Sequence, residues 1–179
     1  MTSFETADLE SPIGTVTVAV RDHRLCALGF SDHWSAEVRW LERRFGAIDF
    51  RRSTDPAGVV RALRAYFDGQ LRALDQIDVD AGGTTFQASV WHALRRVPAG
   101  QTISYGELAR AVGSPQAARA VGAANGQNPI SIVVPCHRAI GGNGRLVGYG
   151  GGLERKRWLL QHEGVLKQEP THPKLPLAG

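Results

Sequence analysis

The chain has 179 residues, 42% of them apolar and 21% charged, the balance of a globular protein with room for one domain or two small ones around a sizeable core. No apolar run approaches the ~20 residues of a membrane-spanning helix, and the N-terminal MTSFETADLESPIG has neither the basic region nor the apolar stretch of a signal peptide, so no membrane span and no secretion are expected. The net charge of +4 is divided unevenly: residues 1–83 hold 10 basic and 13 acidic side chains and residues 84–164 hold 9 and 3, a basic second half that suits a polyanion such as nucleic acid or a plain solvated face.

The first half reads as α/β. A turn at Ser11–Gly14 precedes a β-rich run, Thr15–Val20, and a second turn at Arg21–Arg24 leads into a strand over Leu25–Phe30. WSAEVRWLERRFG spaces Val38, Leu41 and Phe45 as one helical face, with Gly46 as the stop. DPAGVVRALRAYFDG predicts a second helix with Asp55 as N-cap, Pro56 at its first position, and Val59, Leu63 and Phe67 on one face. Residues 76–80 can form a short strand, and AGGTT, 81–85, is the best linker in the chain. Two cysteines, Cys26 and Cys136, can make one disulfide at most, and in a cytoplasm both are read as free thiols.

The second half changes character. Thr84 and Gln87 form a capping box that opens a helix with Phe86, Val90, Leu94 and Val97 on one stripe, ended by Pro98 and Gly100. Ser104 and Glu107 form a second box that opens Tyr105–Val112, with Gly113 as its left-handed end. Ser114 is expected to cap the next helix, with Pro115 at its first position and QAARAVGAAN as its body. Two short helices joined by Gly-Ser are either a plain αα-hairpin or a helix-turn-helix, and the surrounding positive charge favours the second. The surface of this last helix is nearly all Ala and Gly, which permits close approach to a backbone, and Arg119 is its one long charged side chain. GLERKRWLLQHEG is the final helix, with Glu163 at its C-terminal end, where the macrodipole disfavours a carboxylate. Residues 165–179, with three prolines and no periodicity, read as a disordered tail.

The stretch ISIVVPCHRAIGG places Cys136 between an apolar run, read as a buried strand, and His137 and Arg138. A free thiol of pKa about 8.5 is mostly protonated at neutral pH, so a nucleophilic cysteine needs a base or cation beside it. His137 is adjacent in sequence, but neighbours on an extended chain point apart, so the pair works only if the chain turns or a water bridges the two. A carboxylate on the far imidazole nitrogen would complete a relay, and Glu163 is the acid to choose in the basic half. Taken alone, a Cys-His pair is a weak signal and reads more readily as an inert core cysteine than as a nucleophile.

The whole string is more specific. PCHRAI after NPISIVV, then GYGGG and RWLLQHEG, resembles the O6-alkylguanine-DNA alkyltransferases, or methylated-DNA–protein-cysteine methyltransferases. The resemblance extends back through FQASVWHALRRVPAGQTISYGELARAVGSPQAARAVGAANGQNP, so that it covers residues 86–164 closely and the first half loosely, through SPIG and the strands after it. It implies an α+β chain: an N-terminal α/β domain with a ribonuclease-H-like fold over 1–82, and a C-terminal winged helix-turn-helix domain over 83–164. It implies repair of double-stranded DNA from the minor groove, by transfer of an alkyl group from O6 of guanine, and less readily from O4 of thymine, to Cys136. Each molecule would act once, without cofactor or metal. His137 would act through a water as the base and Glu163 would orient it. Tyr105 would donate to guanine N3, Arg119 would fill the gap left by the flipped nucleotide, and Asn128 would brace the active-site turn. Tyr149 would form a pocket wall with Gly150, where some relatives carry serine, and Ser104, Ala120 and Ala124 would lie along the bound DNA. A cytoplasmic, nucleoid-associated bacterial monomer is expected, with cooperative loading on DNA left open. Cys26 has His23 and His33 nearby but no paired-cysteine spacing, and reads as a buried strand residue rather than a zinc ligand. His92 and His162 read as structural or surface groups. The alternatives are a lesion-binding protein without transfer activity, which would lack the acceptor cysteine, and a thiol hydrolase, which would turn over many times.

Overall fold

A computed structural model describes residues 1–167, which form two compact units, one of Met1–Gly82 and one that begins at Gly83. The expected tail lies outside the described residues from 168 onward; before that, the Val165 and Leu166 N–H groups donate to the Leu160 carbonyl.

The first unit is a four-stranded sheet with two helices. Strands β1 (Thr2–Ser11), β2 (Gly14–Arg21) and β3 (Arg24–Phe30) form an antiparallel meander. Helix α1 (Trp34–Phe45) then returns the chain to β4 (Ile48–Arg52), which pairs parallel to β1, giving the order β3-β2-β1-β4. The predicted strands are β2 and β3. Their long buried runs, including Val16, Val18, Val20, Leu25 and Leu28, carry the β-branched and aliphatic signal that made them legible. The partners β1 and β4 were not anticipated. In β1 the buried residues are Phe4, Thr6, Ala7 and Leu9, a weak and irregular alternation, and β4 is a short edge strand of IDFRR.

Helix α1 stops at Gly46 as predicted, where a φ of 75° suits glycine. The second helix differs from expectation. Pro56–Gly58 is a 3-10 turn, and α2 runs only Val59–Phe67. Asp55 still caps it, by reaching past the turn to accept from the Val60 and Arg61 N–H groups at 2.9 and 3.2 Å. The fully buried aromatic of α2 is Tyr66, with Phe67 half-buried beside it, so the buried face is Val59, Leu63 and Tyr66. The strand expected at 76–80 shrinks to a single bridge between Leu25 and Val79.

The second unit is helical. Helix α3 (Thr85–Arg95) and helix α4 (Tyr105–Ala111) both open with complete capping boxes, Thr84 with Gln87 and Ser104 with Glu107. Gly113 ends α4 at a φ of 75°. Helix α5 (Ala118–Gly126) starts later than predicted: Ser114 closes a turn through its carbonyl, to the Ala117 N–H, and its side chain caps nothing. Helices α3, α4 and α5 pack on one another. A two-residue strand β5 (Ile103–Ser104) pairs parallel with β6 (Ala139–Ile140), a Gly-rich loop follows, and α6 (Leu153–His162) closes the unit. On α6 Leu153 is exposed while Lys156 is fully buried, the reverse of what hydropathy suggests.

Candidate active site

The site begins with Asn128. Its side-chain amide donates to the Ile130 and Val134 carbonyls at 3.3 and 2.8 Å, and its oxygen accepts from the Ile130 N–H at 3.0 Å. These bonds replace the ladder that a strand would have supplied. The apolar run Ile130–Val134 is buried, as predicted, but it is a turn and not a strand, with Ile132 held at a φ of 70°. A β-branched residue in that region is strained, and the asparagine bonds on either side help to hold it. After Pro135 the chain continues as a 3-10 turn, Cys136–Arg138, so the turn that an adjacent Cys-His pair requires is present.

Behind the thiol lies a buried charge network. His137 is fully buried, and its Nε2 lies 2.8 Å from Glu163 Oε1. Arg138 donates to both oxygens of the same carboxylate, at 2.9 and 2.8 Å, and to the Val97 carbonyl at 2.6 Å. Burial opposes the charge on Glu163, but His137 and Arg138 together hold its carboxyl well below the usual carboxylate range. Burial lowers the His137 pKa despite the glutamate, so the resting imidazole is neutral at pH 7. With Glu163 ionised, Nε2 carries the proton and Nδ1 keeps its lone pair. Nδ1 has no hydrogen-bond partner among the described residues.

Cys136 is 5% exposed and lines a cavity of about 220 Å³ with Tyr105, Asn125, Gly148, Tyr149 and Gly150. Burial raises its thiol pKa, while the Asn128 side chain, the Lys156 charge and backbone N–H groups lower it. Tyr105, in the first turn of α4, donates its hydroxyl to the Val147 carbonyl at 3.1 Å. A Cβ added at Gly150 would meet nothing within 4 Å, so glycine leaves this part of the wall open. The Asn125 amide donates to the Cys136 carbonyl at 3.4 Å.

The structure therefore gathers Cys136, His137, Glu163, Asn128, Tyr105 and Tyr149 around one turn and one cavity. Arg119 and Ala120 lie exposed in the first turn of α5. Ser104 is half-buried and serves as the N-cap of α4. Ala124 is buried, and its carbonyl accepts from the Trp91 indole at 2.8 Å. Cys26 is buried in β3.

The model of the 6-O-methylguanine DNA methyltransferase ribonuclease-like domain matches residues 6–81, and that of the DNA-binding domain of the same family matches residues 85–165. The chain belongs to the 6-O-methylguanine DNA methyltransferase family. It is 47% identical over 161 residues to a methylated-DNA–protein-cysteine methyltransferase of Shigella flexneri, covering 88% of this chain and 94% of the relative. It is 49% identical over 167 residues to one of Mycolicibacterium paratuberculosis, covering 91% and 93%. A crystal structure of Mycobacterium tuberculosis OGT in complex with DNA matches at a TM-score of 0.75 and 42% identity, covering 90% of this chain and 92% of that one. Its two-part architecture is thus that of the family, a ribonuclease-like domain followed by a DNA-binding domain.

Within this member of the methyltransferase family, three buried polar residues escaped the sequence reading. Arg138 stands inside the PCHRAI string, where nothing local marks it as the partner of a buried carboxylate. Lys156 sits in the charged run ERKR, which reads as a solvated face. Asn125 follows a stretch of alanines and carries no local signal.

Proposed function

We propose that this chain is a methylated-DNA–protein-cysteine methyltransferase that moves an alkyl group from O6 of guanine to the Cys136 sulfur. The observation that carries the reading is one buried turn. It points a cysteine into a cavity and backs it with a neutral histidine on an ionised, arginine-paired glutamate. At rest the thiol is protonated. As the sulfur approaches, its proton passes, through a water, to the Nδ1 lone pair of His137, and the Glu163 carboxylate stabilises the imidazolium that results. The sulfur attacks the alkyl carbon in line. The S–C bond forms, the C–O6 bond breaks, and its electron pair stays on the guanine. The Tyr105 hydroxyl then donates to the base as that charge develops.

A base inside a duplex must first leave the stack, at a cost of a few kcal/mol. Arg119, exposed on a helix of small residues, occupies the space it leaves, with Ala120 beside it and the minor groove as the approach. Alkylated guanine is the preferred lesion and alkylated thymine the lesser one. The product is a thioether, which neither His137 nor water cleaves, so each monomer acts once. Two free thiols suit a reducing cytoplasm as the place of action.

The test is a count of turnovers. With methylated duplex in excess, transfer plateaus at one methyl per protein molecule; several methyls removed per molecule would replace this reading with a hydrolase.

A further inference from the structure

Lys156 projects from α6 into the interior and is fully buried. A buried ammonium persists only when its donors are satisfied, and here they are: Nζ lies 2.6 Å from the Ala139 carbonyl and 3.1 Å from each of the Val147 and Gly148 carbonyls. Ala139 directly follows the Cys136–Arg138 turn, and Gly148 belongs to the cavity wall. One side chain thus ties the turn that holds the nucleophile to the Val147–Gly148 part of the cavity wall.

The Val147 carbonyl has a second donor, the Tyr105 hydroxyl at 3.1 Å. If Tyr105 is to donate to an extruded base, its hydroxyl must leave that carbonyl. A carbonyl oxygen has two lone pairs, so the lysine keeps the wall bonded when the tyrosine goes. We propose that Lys156 is a positioning residue for alkyl transfer, holding the Val147–Gly148 wall in place while the Tyr105 hydroxyl exchanges the Val147 carbonyl for the base. This rests on the reading of Tyr105 as donor to the base. Burial lowers the ammonium to about 8, which leaves it mostly protonated at neutral pH.

The experiment is a double-mutant cycle of Lys156→Met and Tyr105→Phe. It is read as the maximal single-turnover rate on methylated duplex at saturating protein, with a thermal melt to verify folding. Lys156→Met lowers the maximal rate roughly tenfold to a hundredfold and leaves half-saturation by DNA unchanged. In that background the tyrosine is already committed to the wall, so adding Tyr105→Phe costs little more. Losses that multiply would overturn the proposal while leaving Tyr105 as the donor. Tyr105→Phe without effect in the parent chain would overturn the donor reading, and the proposal with it. Iodoacetamide, which alkylates Cys136 without needing Tyr105, separates positioning from support of the thiolate: an equal loss toward iodoacetamide and toward duplex contradicts positioning. Should Lys156→Met not fold, Lys156→Arg keeps the charge without the compact three-donor ammonium, and the same sub-additivity is expected.

Discussion

Strand β3 around Cys26 and the turn around Cys136 each bury a thiol almost completely, at 1% and 5% exposure. Burial is the leading influence on both and pushes both upward. The neighbours then diverge. Cys26 sits among Phe4, Ala19, Ala27 and Leu41, and the Asp80 charge raises it further, against weaker help from Arg44, to about 11. Cys136 has the Asn128 amide and the Lys156 ammonium working for its thiolate, a cavity in front and a histidine–glutamate pair behind. Burial alone yields an inert thiol. Reactivity requires a turn that delivers donors, a cation and a proton acceptor to the same sulfur.

Replacing the two cysteines in turn separates them most sharply. Cys136→Ser should abolish transfer, since a hydroxyl of far higher pKa cannot replace the thiolate. Cys26→Ala should retain the full transfer rate and lose only about 1 kcal/mol of stability. Transfer assays and chemical denaturation of both variants decide it.

Next in size is the relay. Glu163→Gln should slow transfer about a hundredfold or more, because His137 loses the partner of its imidazolium. It should also destabilise the fold by about 3–5 kcal/mol, because Arg138 is left as a buried unpaired charge. The pH dependence follows from the sign of the shift. The folded pKa of Glu163 lies below its ordinary 4.5, so its stabilisation is complete above that pH and is lost progressively as pH falls below it. The Gln variant should therefore show a shallower loss of stability below about pH 4.5 than the parent, checked by melting temperatures along a pH series.

A smaller effect concerns the opening in front of Cys136. Arg119→Ala should slow transfer from duplex roughly tenfold but leave reaction with the free methylated base intact, and Arg119→Lys should restore only part, since an ammonium lacks the flat guanidinium. Full rescue by lysine that vanishes as a defect at low salt would make Arg119 a phosphate contact. The smallest effect is on labelling: at pH 8 iodoacetamide should modify Cys136 well before Cys26, and Cys26 only once the sheet opens.

Most of the second unit was legible because its punctuation is local. Capping boxes at Thr84 and Ser104 and the left-handed Gly113 are short-range signals that tertiary packing did not overrule. The pairing of His137 with Glu163 beside Cys136 was legible by composition, as few acids exist in that half. What remained hidden depends on partners distant in sequence. β1 is a strand because β2 and β4 flank it, and its own alternation is too weak to announce it. The Ile130–Val134 run has the apolar content of a strand, but the Asn128 bonds and its own Val134 N–H bond to the Ile130 carbonyl fold it into a turn. Lys156 looks solvated until three carbonyls converge on it. Arg138 shows how a charge can be read correctly as part of a motif and still be missed as half of an ion pair.

The contrast between the two thiols is tested most directly by mapping both cysteines after one reaction. The protein is incubated with excess duplex carrying O6-methylguanine, digested, and each cysteine peptide is weighed. Complete methylation of Cys136 and none of Cys26 is expected, with the guanine restored in equal amount. Methyl on Cys26, or restored guanine without a methylated Cys136, would contradict it.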